Sequence, residues 1–466
     1  MENNEQSLVL CLFEDERYPN FFPLSLNHPV FDLRIGAQTL RGRLVDELNP
    51  GNLIVLCRPY LASVLTEELS SPGGEYEVHV NEMVEGEVVF LNGRLITFGT
   101  ELEHLVTGLV VNSVLHKKGV VVAAKLSGDQ ASSFMNYLSD PLSDDHMLKV
   151  IHEIKESVPD AKRKKKEMAE SEGEAKGESL ERWAAESGVS VEETGLKLLS
   201  YYWQLIGENS AVIVDDFQKN PLRGTAPEAE LFKGVNLIKE EDIVIGSEVE
   251  VRSGTVLDAS EGPIIITDRV SIEPNAIITG PCFIGEHSII RGGAKIGHGT
   301  SLGKECRIGG EVEETIVTSY SNKQHEGFLG HSYVGSWVNI GAGSCNSDLK
   351  NNYGQIRAWS AGKVKETGRT FLGVVIGDHS KIAINTKFNT GTVVGFNANI
   401  TSSGFPPKFV PSFTWLLEPD YVEHDLEKAM KTAEVMMDRR NVRFTSAQGE
   451  LFKALYRFIR QSGHTI

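Results

Sequence analysis

The stretch ITDRVSIEPNAIITGPCFIGEHSIIRGGAKIGHGTSLGKECRI (Ile266–Ile308) decides the fold of the larger part of this chain. Ile266, Ile272, Ile278, Ile284, Ile290, Ile296, Leu302 and Ile308 follow one another at intervals of six. A helix repeats near 3.6 residues and a half-buried strand at 2, so neither explains the spacing. A coil with three short flat sides does, if each side turns one aliphatic residue inward and the coils stack into a solenoid. The same interval recurs at Ile245, Val251 and Leu257, at Phe328, Val334 and Ile340, and at Ile376, Ile382, Phe388, Val394 and Ile400. Glycine follows the aliphatic position at Gly285, Gly297, Gly303, Gly309, Gly335, Gly341, Gly377 and Gly395. Corners need turn conformations that glycine adopts at little steric cost.

Two interruptions break the beat. One lies between Ile308 and Phe328 and carries SYSNKQHE (Ser319–Glu326); the other lies between Ile340 and Ile376. Both are expected to project from one face and to build the site. The solenoid is assigned to 243–411, followed by a tail (419–466) with helices over 421–440 and 446–461.

Before the solenoid the pattern changes. Leu8–Phe13, Asn52–Cys57, Glu75–Val80 and Val120–Lys125 read as strands, with helices over Ala37–Leu48, Pro59–Glu68 and Ser132–Tyr137. Glu87–Ile96 reads as a hairpin turning at Asn92-Gly93. Strands alternating with helices predict an α/β domain with a mainly parallel sheet, assigned to 1–235. Within it, about 158–182 is rich in Lys, Glu, Ala, Ser and Gly and reads as a disordered or loosely helical insertion. Leu196–Ile206 reads as a helix leading through Val212-Ile213-Val214 to Asp215-Asp216 at a strand end.

At 466 residues the chain has material for two or three domains. A net charge of −18 argues against nucleic acid as a partner, because phosphate backbones select a basic face. The run Arg163–Lys166 is flanked by acids and reads as a solvated surface. Five cysteines without CxxC spacing argue against a disulfide framework or a metal site and for a reducing compartment. The N-terminal apolar run is too short for a signal peptide, and no segment approaches the ~20 apolar residues of a membrane span. The expectation is a cytoplasmic protein without membrane contact.

Two resemblances sharpen this reading. FFPLSLNHPVFDLRIGAQTLRGRL (Phe21–Leu44) resembles the start of a bacterial family of sugar nucleotidyltransferases, alternative versions of the bifunctional enzyme that makes UDP-N-acetylglucosamine. Pro23-Leu24, Pro29-Val30, Asp32-Leu33-Arg34 and Gly36 match its pattern, and His28 replaces an Arg. Where ordinary sugar-nucleotide pyrophosphorylases have a Gly-rich phosphate loop after the first strand, this chain has Glu14-Asp15-Glu16-Arg17. The nucleotidyltransferase step, and the Mg²⁺ it would use, therefore stay open.

The solenoid resembles hexapeptide-repeat, left-handed β-helix acyltransferases. SNKQHEGFLGHSYVGSWVNIGAG (Ser321–Gly343) is similar to the acetyltransferase half of the bifunctional enzymes. The resemblance makes His325 the catalytic base, puts Phe328 at a family Tyr, and gives Glu311–Glu314 where a second lysine stands. It implies that Arg291 and Lys323 hold a phosphate, that Asn339, Asn346, Asn352 and Tyr353 contact the sugar, and that Gly341 and Ala342 contact acetyl-CoA. A histidine suits this chemistry, since an amine must lose a proton as it attacks a thioester. The resemblance thus implies acetyl transfer from acetyl-CoA to an amino sugar phosphate, glucosamine-1-phosphate first, by a homotrimer. The alternative is a non-catalytic trimeric scaffold that binds a nucleotide sugar.

Overall fold

The computed structural model describes residues 7–70, 76–157, 174–225, 229–401, 404–417 and 420–461. It divides into two compact units. One comprises Met1–Pro19, His28–Leu33 and Thr39–Ser200; the other comprises Asn20–Asn27, Arg34–Gln38 and Tyr201–Ile466.

The first unit is built on a seven-stranded sheet. Its spatial order is Ser190–Glu193, Ser113–Lys117, Val120–Ser127, Glu87–Asn92, Val9–Phe13, Asn52–Leu56 and Glu77–Val80. The last four run parallel, and Val120–Ser127 joins antiparallel to Glu87–Asn92. Val9–Phe13 is central and fully buried, which is why it reads as an unbroken apolar run. The Leu40–Leu48 helix starts where the Thr39 side chain accepts from the Gly42 amide, three residues later than expected. The expected hairpin at Asn92-Gly93 does not form. Leu95–Ile96 pairs instead with Lys197–Leu198, while the Asn92 amide nitrogen donates to Asp15 and to the Val121 carbonyl. Of the expected insertion, residues 158–173 lie outside the described residues; Glu174–Ser187 is helical.

The second unit carries the solenoid, a parallel β-helix with three faces. Its first face contains the ladder Val251–Ile272–Ile290–Ile308, its second Leu257–Ile278–Ile296–Val312–Leu329, and its third Ile266–Ile284–Leu302–Val317–Val334–Ile376–Val394–Val410. A regular turn is three hexads, so each rung pairs with the residue eighteen positions on, as Ile272 with Ile290. All eight aliphatic residues of the opening stretch are buried in one core.

The interruption after Ile308 proves to be a shortened turn. Glu311–Glu313, Ile316–Val317 and Asn322–Lys323 still supply a strand to each face, and the first-face rung advances only from Ile308 to Lys323. Leu329, not Phe328, takes the inward position that follows, and Phe328 lies half-buried outside. The second interruption is a true excursion. It leaves after Asn346, contains the antiparallel pair Arg357–Ser360 and Lys363–Glu366, and returns at Val374.

Tyr202–Lys219 is one helix of this unit, replacing the expected helix to Ile206 and the strand at Val212–Val214. Its Ile213 and Phe217 pack on Val244, Ile265 and Phe283, outward residues of the third face. Helical spacing of that apolar face overrides the β-branched run. The first unit closes at Ser200, whereas the sequence reading carried that domain to 235. The tail forms Leu426–Asp438 and Ser446–Gln461, with Phe452 packed edge-on to His379 and Phe396 at the corner between third and first faces.

Lys323 breaks the chemistry of the core. It follows Ile308 in the first-face ladder, is 3 % exposed, and donates from Nζ to the carbonyls of Gly309 (2.9 Å) and His325 (2.7 Å). Burial lowers its pKa from the ordinary 10.5 to about 8.

Two measurements test this packing. Ile290→Ala, at a fully buried rung, is expected to cost about 2–5 kcal/mol in denaturant unfolding. For Lys323 the unfolded chain holds the proton more tightly, so its contribution to stability rises with pH from about 8 towards 10.5. Lys323→Met should lack that rise, seen as a wild-type minus variant difference that grows between these pH values.

Candidate active site

The corners between first and second faces stack into one edge of the solenoid. Down this edge run Arg291-Gly292-Gly293, Gly309-Gly310, Gln324–Gly327 and Gly341–Gly343, each rung about 4.8 Å from the next. Backbone bonds tie them together: the Gly309 amide donates to the Lys323 carbonyl (2.7 Å) and the Gly343 amide to Glu326 (2.9 Å). Gly310 lies at φ +74°, where an added Cβ would sit 2.7–2.9 Å from the Gly327 carbonyl, Lys323 Nζ and the His325 carbonyl. No side chain fits there.

This edge gathers Arg291, His325, Gly341 and Ala342. His325 is exposed on the corner, and its ring makes no hydrogen bond among the described residues. Arg291 is exposed and pairs with Glu273 at 2.6 Å, a surface ion pair that water and salt weaken. Lys323 lies beneath the edge and faces inward, so its ammonium serves carbonyl oxygens instead of the open surface expected for a phosphate ligand. The outward neighbour Asn322 accepts from Arg440 of the tail at 2.9 Å.

The other expected residues lie elsewhere. Asn339 is exposed on the outside of the first face. Asn346 is 6 % exposed in the core, where its side-chain oxygen accepts from the Gly330 amide (2.9 Å) and its nitrogen donates to the Gly330 carbonyl (3.0 Å). Both polar ends are matched, as burial requires. Asn352 and Tyr353 are exposed on the excursion, which leaves from the edge between second and third faces.

That second edge holds a pair of titratable side chains. His331 Nδ1 lies 2.8 Å from Asp348 Oδ2, and the imidazole stacks on Phe371 at 4.9 Å and 21°. His331 precedes the third face and Asp348 begins the excursion, seventeen residues apart, so spacing gave no signal of the contact.

In the first unit, the acids after the first strand are internally engaged. Glu14 pairs with Arg58 at 3.0 Å and accepts from the Val30 amide at 2.9 Å; Asp15 accepts from Arg94 Nε and from Asn92, both at 2.9 Å. Burial pushes the Glu14 carboxyl up despite Arg58. Burial opposes ionisation of Asp15 as well, but the Arg94 guanidinium holds it below the usual range. A cavity of about 390 Å³ opens here between Phe13, Val121, Tyr137, Leu138 and His146. Among the described residues its charged lining is Glu14, Asp15, Glu16 and Asp140, without lysine or arginine. Such a lining suits a triphosphate poorly. Asp216 accepts from the Ala37 amide at 2.7 Å and Asp215 pairs with Lys219 at 3.0 Å, so this carboxylate pair does not form a Mg²⁺ cradle either.

Residues 10–221 match the family described as sugar nucleotidyl transferase. The chain is 30% identical over 199 residues to the bifunctional protein GlmU of Wigglesworthia glossinidia brevipalpis, covering 42% of this chain and 39% of that protein. It is 30% identical over 234 residues to the bifunctional protein GlmU of Ralstonia pickettii (44% and 50%), and 27% over 252 residues to that of Streptococcus pyogenes serotype M12 (48% and 49%). The chain thus spans about half, or less, of the length of these curated relatives. Residues 10–221 are thus similar to sugar nucleotidyl transferases, and under half of the chain is similar, at 30% identity or less, to each of these bifunctional proteins.

Proposed function

We propose that the chain is an acetyl-CoA-dependent N-acetyltransferase acting on an amino sugar phosphate, glucosamine-1-phosphate first, in nucleotide-sugar synthesis. One observation carries this: six of the nine residues named by the resemblance, Arg291 among them, fall on the two edges that flank the second face, while Lys323, Asn339 and Asn346 do not. His325, Gly341 and Ala342 occupy one edge, Asn352 and Tyr353 the other. The outward side chains between them, Ile277, Lys295, Glu311 and Lys387, are exposed. The third face, by contrast, is covered over its first coils, at Val244, Ile265 and Phe283, by Tyr202–Lys219. A cyclic assembly, most simply a trimer, places the first edge of one copy against the second edge of the next and completes the site between copies.

On this reading His325 takes the amine proton as nitrogen attacks the thioester carbon. The glycines of its edge let a long thioester lie close against the backbone. Acetylation of glucosamine-1-phosphate by acetyl-CoA should fall by at least about a hundredfold in His325→Ala with the oligomer intact. Unchanged turnover, or none in wild type, overturns the assignment.

The buried ion pairs Glu14–Arg58 and Asp15–Arg94 favour a narrower role for the first unit: nucleotide-sugar recognition without nucleotidyl transfer. Release of pyrophosphate from UTP and N-acetylglucosamine-1-phosphate should then stay at background with Mg²⁺ present. Sustained release contradicts this role.

A further inference from the structure

We propose that His331, oriented by Asp348, is a second base of the same site, removing a proton from the acceptor's ammonium group before it attacks. The proposal rests on the acetyl-transfer reading above.

Of the two histidines, His331 has the arrangement expected of an oriented base. Its Nδ1 faces Asp348 Oδ2 at 2.8 Å, so the hydrogen sits on Nδ1 and the lone pair on Nε2. Nε2 has no hydrogen-bond partner among the described residues. Phe371 covers one face of the ring and fixes its plane. Asp348 is the charged group bonded to the imidazole, and the ring stacked on it, Phe371, carries no charge. The Asp348 carboxylate and the Phe328 ring lie over Gly330, where a Cβ would come within 2.6 Å of Oδ2 and 2.4 Å of the ring. The base of the excursion is clamped on both sides, with Leu372 donating to the Asp348 carbonyl (2.9 Å) and Gly373 to the His331 carbonyl (2.8 Å). The pair is therefore rigidly held on the edge that bears Asn352 and Tyr353.

The chemistry requires such a group. A sugar amine is largely an ammonium near neutral pH and has no lone pair with which to attack. His331 Nε2 takes the first proton and leaves the free amine. Nitrogen then bonds to the thioester carbon, the carbon–sulfur bond breaks, and the second amine proton passes through His325 of the facing copy to the leaving sulfur. His331 returns its proton to water. Ammonium and thioester become amide, thiol and one released proton.

The test is the pH dependence of kcat for glucosamine-1-phosphate acetylation in wild type, His331→Gln, Asp348→Asn and His325→Ala, with melting temperatures recorded beside it. His331→Gln is expected to lose at least about tenfold near pH 6.5 and to approach wild type near pH 9, where solvent has already deprotonated the amine. Asp348→Asn should follow in the same direction with a smaller loss, and His325→Ala should stay low throughout. A His331→Gln rate equal to wild type at low pH overturns the proposal. So does a deficit that persists undiminished at high pH, which marks a purely structural clamp. An inactive wild type overturns the acetyl-transfer reading and this proposal with it, whereas a fully active His325→Ala overturns the proton path through His325.

Discussion

The larger unit depends on one constraint: every flat side of the coil must turn one side chain into a closed, dry core. Parallel backbone bonds hold successive turns about 4.8 Å apart, so a residue on one turn lies directly over its counterpart on the next. Ile266, Ile284 and Leu302 are three rungs of one such column. Burying each is worth about 1.5–3 kcal/mol, and that repetition stabilises a shape with no other centre. The edges are freed to be glycine-rich and irregular because the columns carry the stability.

Where the columns depart from aliphatic residues, function and structure meet. Lys323 and Asn346 both occupy inward positions, and each is matched by backbone groups of a corner: Lys323 by the Gly309 and His325 carbonyls, Asn346 by both polar groups of Gly330. These two corners adjoin His325 on one edge and His331 on the other. Polar groups buried in an otherwise apolar core cost stability unless matched, and here the matching rigidifies the turns that present the two histidines.

The six-residue beat made the solenoid legible, since its period belongs to no other element. The edges were less so. A shortened turn between Ile308 and Lys323 looks in one dimension like an inserted loop, because the beat is lost while the strands persist. That misplaced Phe328 by one position and hid the inward direction of Lys323. Tyr202–Lys219 was obscured by β-branched residues whose helical spacing becomes plain only against Val244, Ile265 and Phe283. Glu14 and Asp15 drew notice as acids where phosphate might bind, but their partners Arg58 and Arg94 lie 44 and 79 positions away. The His331–Asp348 contact spans an edge, beyond the reach of any local pattern.

The central claim is that two edges of different copies make one site. Co-expressing His325→Ala chains with chains carrying Asn352→Ala and Tyr353→Ala tests it most directly. Each variant alone should be inactive. Random mixing in a cyclic trimer restores an intact pair of edges at about a quarter of interfaces, so the mixture should recover about that share of wild-type turnover. Mixed oligomers, verified by mass, that recover no activity would contradict a shared site.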